Sequence, residues 1–175
     1  MNNDLNYIDI EIDKLTRSIE NAVTGDIFDT ELILLSSIDK KQIKKSHWLF
    51  DWHSQLELND RQVYKLVIKG NPDIIQGLLC LSDRGDHIYM NLIESAKFNR
   101  GKDKIYLGVP GNLVAFTCKL SFEKGYDGFI AFDAKTALIK HYEETIFATH
   151  FKGTRMFIET TSAMKLVNQY FQKDK

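Results

Sequence analysis

Residues 105–113 read Ile105-Tyr106-Leu107-Gly108-Val109-Pro110-Gly111-Asn112-Leu113, a glycine-containing loop between a strand pattern and a helical one. A strand, such a loop and a helix start together aim backbone N–H groups and a helix dipole at a phosphate or other anion. Gly108 and Gly111 carry no Cβ, so the main chain there can approach an anion closely. Pro110 suits the first helical turn and contributes no N–H, leaving the loop one donor fewer. The same residues also fit a plain turn ahead of a helix. No Gly-Lys-Ser/Thr follows, so this is not a Walker A loop. The glycine spacing and the antiparallel reading of the strands before it exclude a dinucleotide-binding fingerprint. Cys80 and Cys118 sit in apolar runs as core thiols do, and no His partner for Cys118 is evident. The five His and two Cys show no metal-ligand spacing, and no metal is expected.

The elements that must position this loop are legible from residue 47 onward. Val63–Lys69 reads as a strand closed by Gly70-Asn71-Pro72-Asp73. Ile74–Leu81, interrupted by Gly77, is a second strand, and after Arg84-Gly85-Asp86 the run His87–Glu94 is a third; short turns make them an antiparallel meander. Beyond the loop, Leu113, Phe116 and Leu120 share a helical face, and Gly125 ends that helix. Phe129–Asp133 is a short strand expected parallel to 87–94. Thr136–Thr145 is a helix, Arg155–Glu159 a strand, and Thr160 or Thr161 caps a last helix carrying Met164, Leu166, Val167, Tyr170 and Phe171. This order defines a mixed α/β (α+β) sheet. The first 45 residues read two ways: Tyr7, Ile8, Ile10 and Ile12 alternate like a strand, while Ile12, Leu15 and Ile19 keep helical spacing. Thr24-Gly25-Asp26 is a turn, Thr30–Leu35 is an apolar run of either type, and Trp48-Leu49-Phe50-Asp51-Trp52 reads as a strand or the lead-in to one. Lys40, Lys41, Lys44 and Lys45 form a solvated helix face or a patch for an anionic partner.

The 175 residues fit a single domain, divided into an N-terminal strand/helix region 1–46, a core 47–160 and a C-terminal helix 161–175. With 43% hydrophobic and 27% charged residues the chain is not intrinsically disordered. A net charge of −1 disfavours a nucleic-acid partner, which needs a clustered excess of Lys and Arg. The acidic start lacks the pattern of a secretory signal, and no run approaches the ~18 apolar residues of a membrane span. A cytoplasmic setting without membrane partners is expected.

Element order and loop together resemble the GNAT-type acyl-CoA-dependent N-acyltransferases over about residues 47–160. That family's phosphate loop reads Arg/Gln-x-x-Gly-x-Gly/Ala, followed two residues later by an apolar helix residue. Gly108 and Leu113 match it; Ile105 stands at the Arg/Gln position beside Lys104, and Pro110 at the second small-residue position. Downstream, Tyr142 and Phe147 fall in register with the family pattern Asn-x-x-Ala-x-x-x-Tyr-x-x-x-Gly-Phe, from which Lys135, Leu138 and Ile146 depart.

The resemblance implies a mostly antiparallel central sheet with helices on both faces and a splayed parallel strand pair. The V-shaped gap would take acetyl-CoA, whose pantetheine arm would bond the main chain of Asn91, Leu92 and Ile93 as an added strand does. The pyrophosphate would lie over the N–H groups of Leu107, Gly108, Val109, Gly111 and Asn112. Lys102 and Lys104 would stand near the phosphates or be solvated loop charges. Acyl transfer to an amine needs a base and an acid. The resemblance gives Tyr142 as the acid at the CoA sulfur and Glu94 as the base, its pKa raised by apolar neighbours. Alternatively, Tyr142 packs on the sheet and Glu94 pairs with Arg100 or Lys97. His87 and His141 are secondary candidates. Trp48, Asp51 and Trp52 would line the acceptor side, an acidic residue favouring a cationic amine, or simply pack the N-terminal region onto the sheet.

Three readings follow: an acetyl-CoA-dependent N-acyltransferase acting on a small-molecule or protein amine; a non-catalytic acyl-CoA-binding or protein-interaction domain of the same fold; and, less favoured by the charge, a toxin that acylates aminoacyl-tRNA. A homodimer is left open.

Overall fold

The computed structural model describes residues 6–172. The chain forms strands β1 (Ile19–Asn21), β2 (Ile27–Phe28) and β3 (Thr30–Leu35), two 3-10 turns over Ser37–Gln42 and Lys45–His47, then helix α1 (Trp52–Glu57). Strands β4 (Gln62–Ile68), β5 (Gly77–Asp83) and β6 (Ile88–Ser95) follow, then β7 (Tyr106–Leu107) and helix α2 (Val109–Glu123). The remainder is β8 (Ile130–Asp133), α3 (Ile139–Thr145), β9 (Thr149–Lys152), β10 (Arg155–Ile158) and α4 (Thr160–Phe171). Seven strands make one mixed sheet in the order β3-β4-β5-β6-β8-β10-β9, and β2-β1-β7 make a small second sheet. Within the large sheet β6 and β8 are parallel and every other pair is antiparallel. Among the described residues no helix is long and apolar enough to cross a membrane.

Alternation along the strands separates two cores. Leu79 and Leu81 of β5 join the larger core under α2 and α4, whereas Leu78 and Cys80 face a smaller one with Trp52, Val63 and Leu92 beneath α1. Strand β6 shifts register once: Cys80 pairs with Leu92 but Leu81 with Met90, so Asn91 is the extra residue of a bulge. That extra residue lets Met90 face one core and Leu92 the other, and a bulge bends its strand. Helix α2 is buried on nearly all sides because the sheet lies on one side and α4 on the other, so its core residues extend well beyond the expected Leu113–Phe116–Leu120 face. It ends as expected: Gly125 is left-handed (φ 83°) and donates to the Phe122 carbonyl at 3.1 Å, while Tyr126 N–H donates to the Ser121 carbonyl at 2.9 Å.

Several expectations need correction. Residues 48–52 are not a strand. Asp51 caps α1 by accepting the Ser54 N–H, and the helix begins at Trp52. The 136–145 segment is a 3-10 turn (Thr136–Leu138) followed by a shorter α3. Glu159, not a threonine, is the N-cap of α4, and the Thr160 hydroxyl donates to the Asp127 carbonyl instead. Residues 1–5 and 173–175 of the expected terminal elements lie outside the described residues. The lysine cluster falls on the two 3-10 turns, where Lys40 pairs with Glu57.

Candidate functional site: a split sheet and its occupant

Strands β6 and β8 pair only at Ile88–Ile130 and Tyr89–Ala131. Beyond that point β6 continues to Ser95 without β8 as a neighbour, and a V-shaped gap opens. The paired end is clamped: the Tyr89 hydroxyl donates to Asp133, which also accepts from Thr154 Oγ1 (2.8 Å) and from the Arg155 guanidinium (3.2 Å). Burial alone would raise the Asp133 carboxyl, but these hydrogen bonds outweigh it and hold the group below its ordinary value.

Residues 8–16 run extended along this gap, neither helix nor a full strand. Ile8 makes a parallel bridge to Ala134, its N–H donating to the Asp133 carbonyl (2.7 Å) and its carbonyl accepting from Lys135 N–H (3.1 Å). The Tyr142 hydroxyl donates to the Ile10 carbonyl at 2.6 Å and accepts the Ile10 N–H at 3.1 Å. His141 Nε2 accepts the Ile12 N–H at 2.8 Å. On α4, the Tyr170 hydroxyl accepts the Thr16 N–H (3.3 Å) and donates to the Lys14 carbonyl (3.2 Å). Ile8, Ile12 and Thr16 are buried; Asp9, Glu11 and Lys14 are exposed. Burial raises the phenols of Tyr142 and Tyr170 and keeps both protonated.

Gly108, left-handed at φ 88°, is the N-cap of α2. Its N–H donates to the Asp13 carboxylate (3.2 and 3.3 Å), which also accepts from Lys104 Nζ at 3.1 Å. A carboxylate thus occupies the helix start where an anion was expected. Of the residues expected around a diphosphate, Leu107 pairs with Glu20 of β1, and Gly111 packs so closely on Tyr170 that a Cβ there would lie 2.0 Å from its hydroxyl. Val109 and Asn112 are buried, with Asn112 Nδ2 donating to the Ser18 carbonyl and Thr30 Oγ1, both at 3.0 Å. Lys102 is exposed. On β6, Asn91, Leu92 and Ile93 are all buried, Asn91 Nδ2 donating to Ser82 Oγ. Between residues 9–11 and the end of β6 a cavity of about 310 Å³ persists, lined by Ser95, Asn99, Arg100 and Lys104 among others. The buried Ser95 hydroxyl there has no partner.

Glu94 stands apart from this groove chemistry. Its side chain is 3% exposed, and its oxygens accept the Leu49 N–H (2.8 Å), the Phe50 N–H (3.2 Å) and Trp52 Nε1 (2.8 Å), with Arg100 at 3.8 Å. The carboxylate fastens segment 49–52 to β6. Of the three residues expected at the acceptor side, Trp52 is buried on Glu94, Asp51 is an exposed cap, and Trp48 lines a cavity of about 570 Å³ with Lys44, His47, Asp73, Lys97 and Phe98. His87 pairs with Asp86 at 2.7 Å. Both cysteines are buried, and burial pushes the Cys80 thiol to about 12. No group of His, Cys, Asp and Glu among the described residues could hold a metal ion. Sequence reading missed Asp13, Thr16 and Tyr170; the alternation Ile8-Asp9-Ile10-Glu11-Ile12 was the one signal of an extended segment with a buried side.

No family model and no curated protein matches this sequence. Solved structures do match. A mutant AtaT toxin bound to the C-terminus of the antitoxin AtaR and acetyl-CoA superposes with a TM-score of 0.56 at 13% identity, covering 79% of this chain and 98% of that one. Mutant forms of the spermidine/spermine N-acetyltransferase SpeG from Vibrio cholerae give 0.52 at 16% identity, covering 78% and 98%. The KacTA–DNA complex gives 0.51 at 14%, with coverage of 78% and 98%. At these identities the likeness is one of fold: the chain has the GNAT-type fold that its motifs resemble.

Proposed function

We propose that this chain is an acyl-CoA-dependent N-acyltransferase, with acetyl-CoA as donor, that binds the coenzyme along the β6/β8 split. The observation that carries this reading is the split itself: two paired residues, then divergence, with a left-handed glycine N–H at the helix start engaging an anion. Its fold neighbours include an acetyl-CoA complex and a polyamine N-acetyltransferase. An acceptor amine attacks the thioester carbonyl, the C–N bond forms and the C–S bond breaks. Tyr142 gives its proton to the leaving thiolate, the proton of the attacking amine passes to solvent, and Tyr142 takes one back from solvent, which returns it to its starting state. Glu94, with both oxygens already accepting hydrogen bonds, enters as a positioning residue for segment 49–52 in place of the expected base. The 570 Å³ cavity beside Trp48 is the acceptor pocket in this reading. Lys44 and Lys97 stand there against Asp73 alone, which favours an acceptor carrying negative charge over a polycation.

A second reading, a non-catalytic domain of the same fold, is favoured by one observation: residues 8–16 occupy the groove and use the Tyr142 hydroxyl. Thiol release from acetyl-CoA, measured against polyamines, acidic peptides, amino acids and aminoacylated RNA, separates the two. Turnover with one class, slowed about a hundredfold by Tyr142→Phe, supports catalysis. Silence across the panel supports the second reading.

A further inference from the structure

We propose that residues 8–16 are an intramolecular ligand of the coenzyme groove, so that the chain has a closed state, the one described above, and an open state in which acyl-CoA replaces this segment; the proposal rests on the acyltransferase reading. The segment is held as a ligand is held, through its main chain. Two tyrosines from different helices each clasp one stretch of it by donating to a carbonyl and accepting an N–H: Tyr142 at Ile10, and Tyr170 at Lys14 and Thr16. At the other end, Ile8 extends the edge of β8 by strand-type bonds.

The charges repeat the pattern. Asp13 places its carboxylate on the Gly108 N–H with Lys104 beside it, an anion between a helix start and a cation, which is what a diphosphate requires. Thr16 fills the space that the missing Cβ of Gly108 leaves; a Cβ there would lie 1.9 Å from Thr16 Oγ1. The segment and a diphosphate therefore compete for the same N–H and the same lysine. The fit is also incomplete. The 310 Å³ cavity remains on the β6 side between residues 9–11 and Ser95, Asn99 and Arg100, space that the segment leaves unfilled and a bulkier ligand would occupy.

Binding of acetyl-CoA to the full chain, wild type and with Asp13→Asn or Ile10→Pro, tests this by calorimetry, together with tryptic cleavage after Lys14 with and without the coenzyme. Loss of the Asp13 charge or of the Ile10 N–H raises the open population, so each variant binds acetyl-CoA about tenfold more tightly than wild type. In wild type, acetyl-CoA speeds cleavage after Lys14. This second measurement needs no variant and stands even where Ile10→Pro fails to fold. Equal affinity in all three proteins, with cleavage unaffected by bound coenzyme, overturns the competition and leaves the acyltransferase reading intact. Failure of acetyl-CoA to bind variants whose Lys14 bond is freely cleaved overturns both.

Discussion

The Asp13 carboxylate lies 3.2 and 3.3 Å from the Gly108 nitrogen, across 95 residues of sequence. Gly108 is the left-handed N-cap of α2, so this acid sits on the positive end of a 15-residue helix dipole. Lys104 donates to the same carboxylate, which makes the junction of the N-terminal segment, the loop and α2 a three-way charged contact. Its geometry makes Gly108 sensitive for two separate reasons, conformation and space.

Gly108→Ala destabilises the protein by about 2–4 kcal/mol in urea unfolding, because alanine resists φ 88° and its Cβ meets Thr16 Oγ1. Adding Thr16→Gly recovers the crowding part and leaves the conformational part. Equal stabilities of the single and double variants would show that space plays no role.

Glu94→Gln destabilises by about 2–3 kcal/mol, since the amide cannot satisfy all three N–H donors of segment 49–52 with charge-assisted bonds. Trp52 fluorescence, read against a Trp48→Phe background, shifts as its ring nitrogen loses its partner. A variant as stable as wild type, with unchanged emission, contradicts the fastening role.

Asp133 makes stability depend on pH with a defined sign. Its folded-state carboxyl lies below the ordinary value of 3.8, held there by Tyr89, Thr154 and Arg155. The stabilisation is therefore fully present above 3.8 and lost as pH falls through the lower folded value. The stability gap between wild type and Asp133→Asn holds its full width from neutrality down to about 3.8 and narrows as the pH falls further. A gap that grows on acidification refutes the assignment.

Neither cysteine is expected to react with a water-soluble disulfide reagent in the native protein, whereas both are expected to react in urea, where their burial is lost. Burial raises the Cys80 thiol to about 12 and moves Cys118 upward as well, so almost no thiolate forms near neutral pH. Fast native-state labelling at either position contradicts their burial.

What the sequence by itself determined is what depends on near neighbours. The β4–β5–β6 meander, the glycine stop of α2 and the loop at Gly108 were legible because alternation, turn residues and a left-handed glycine act within a few positions. The two periodicities overlapping at Ile12 left residues 7–19 undecided, and local preference could not resolve them. Tertiary structure decided them: the partners that hold this segment extended, Gly108, Tyr142 and Tyr170, lie 95, 132 and 156 residues away. Glu94 follows the same rule. Its residue type fits a base or a buried anchor equally well, and only three N–H donors arriving from 42–45 residues upstream made it the anchor. A hydrogen bond fixes function by which groups it brings together, and that pairing is a property of the folded chain, absent from any short stretch of it.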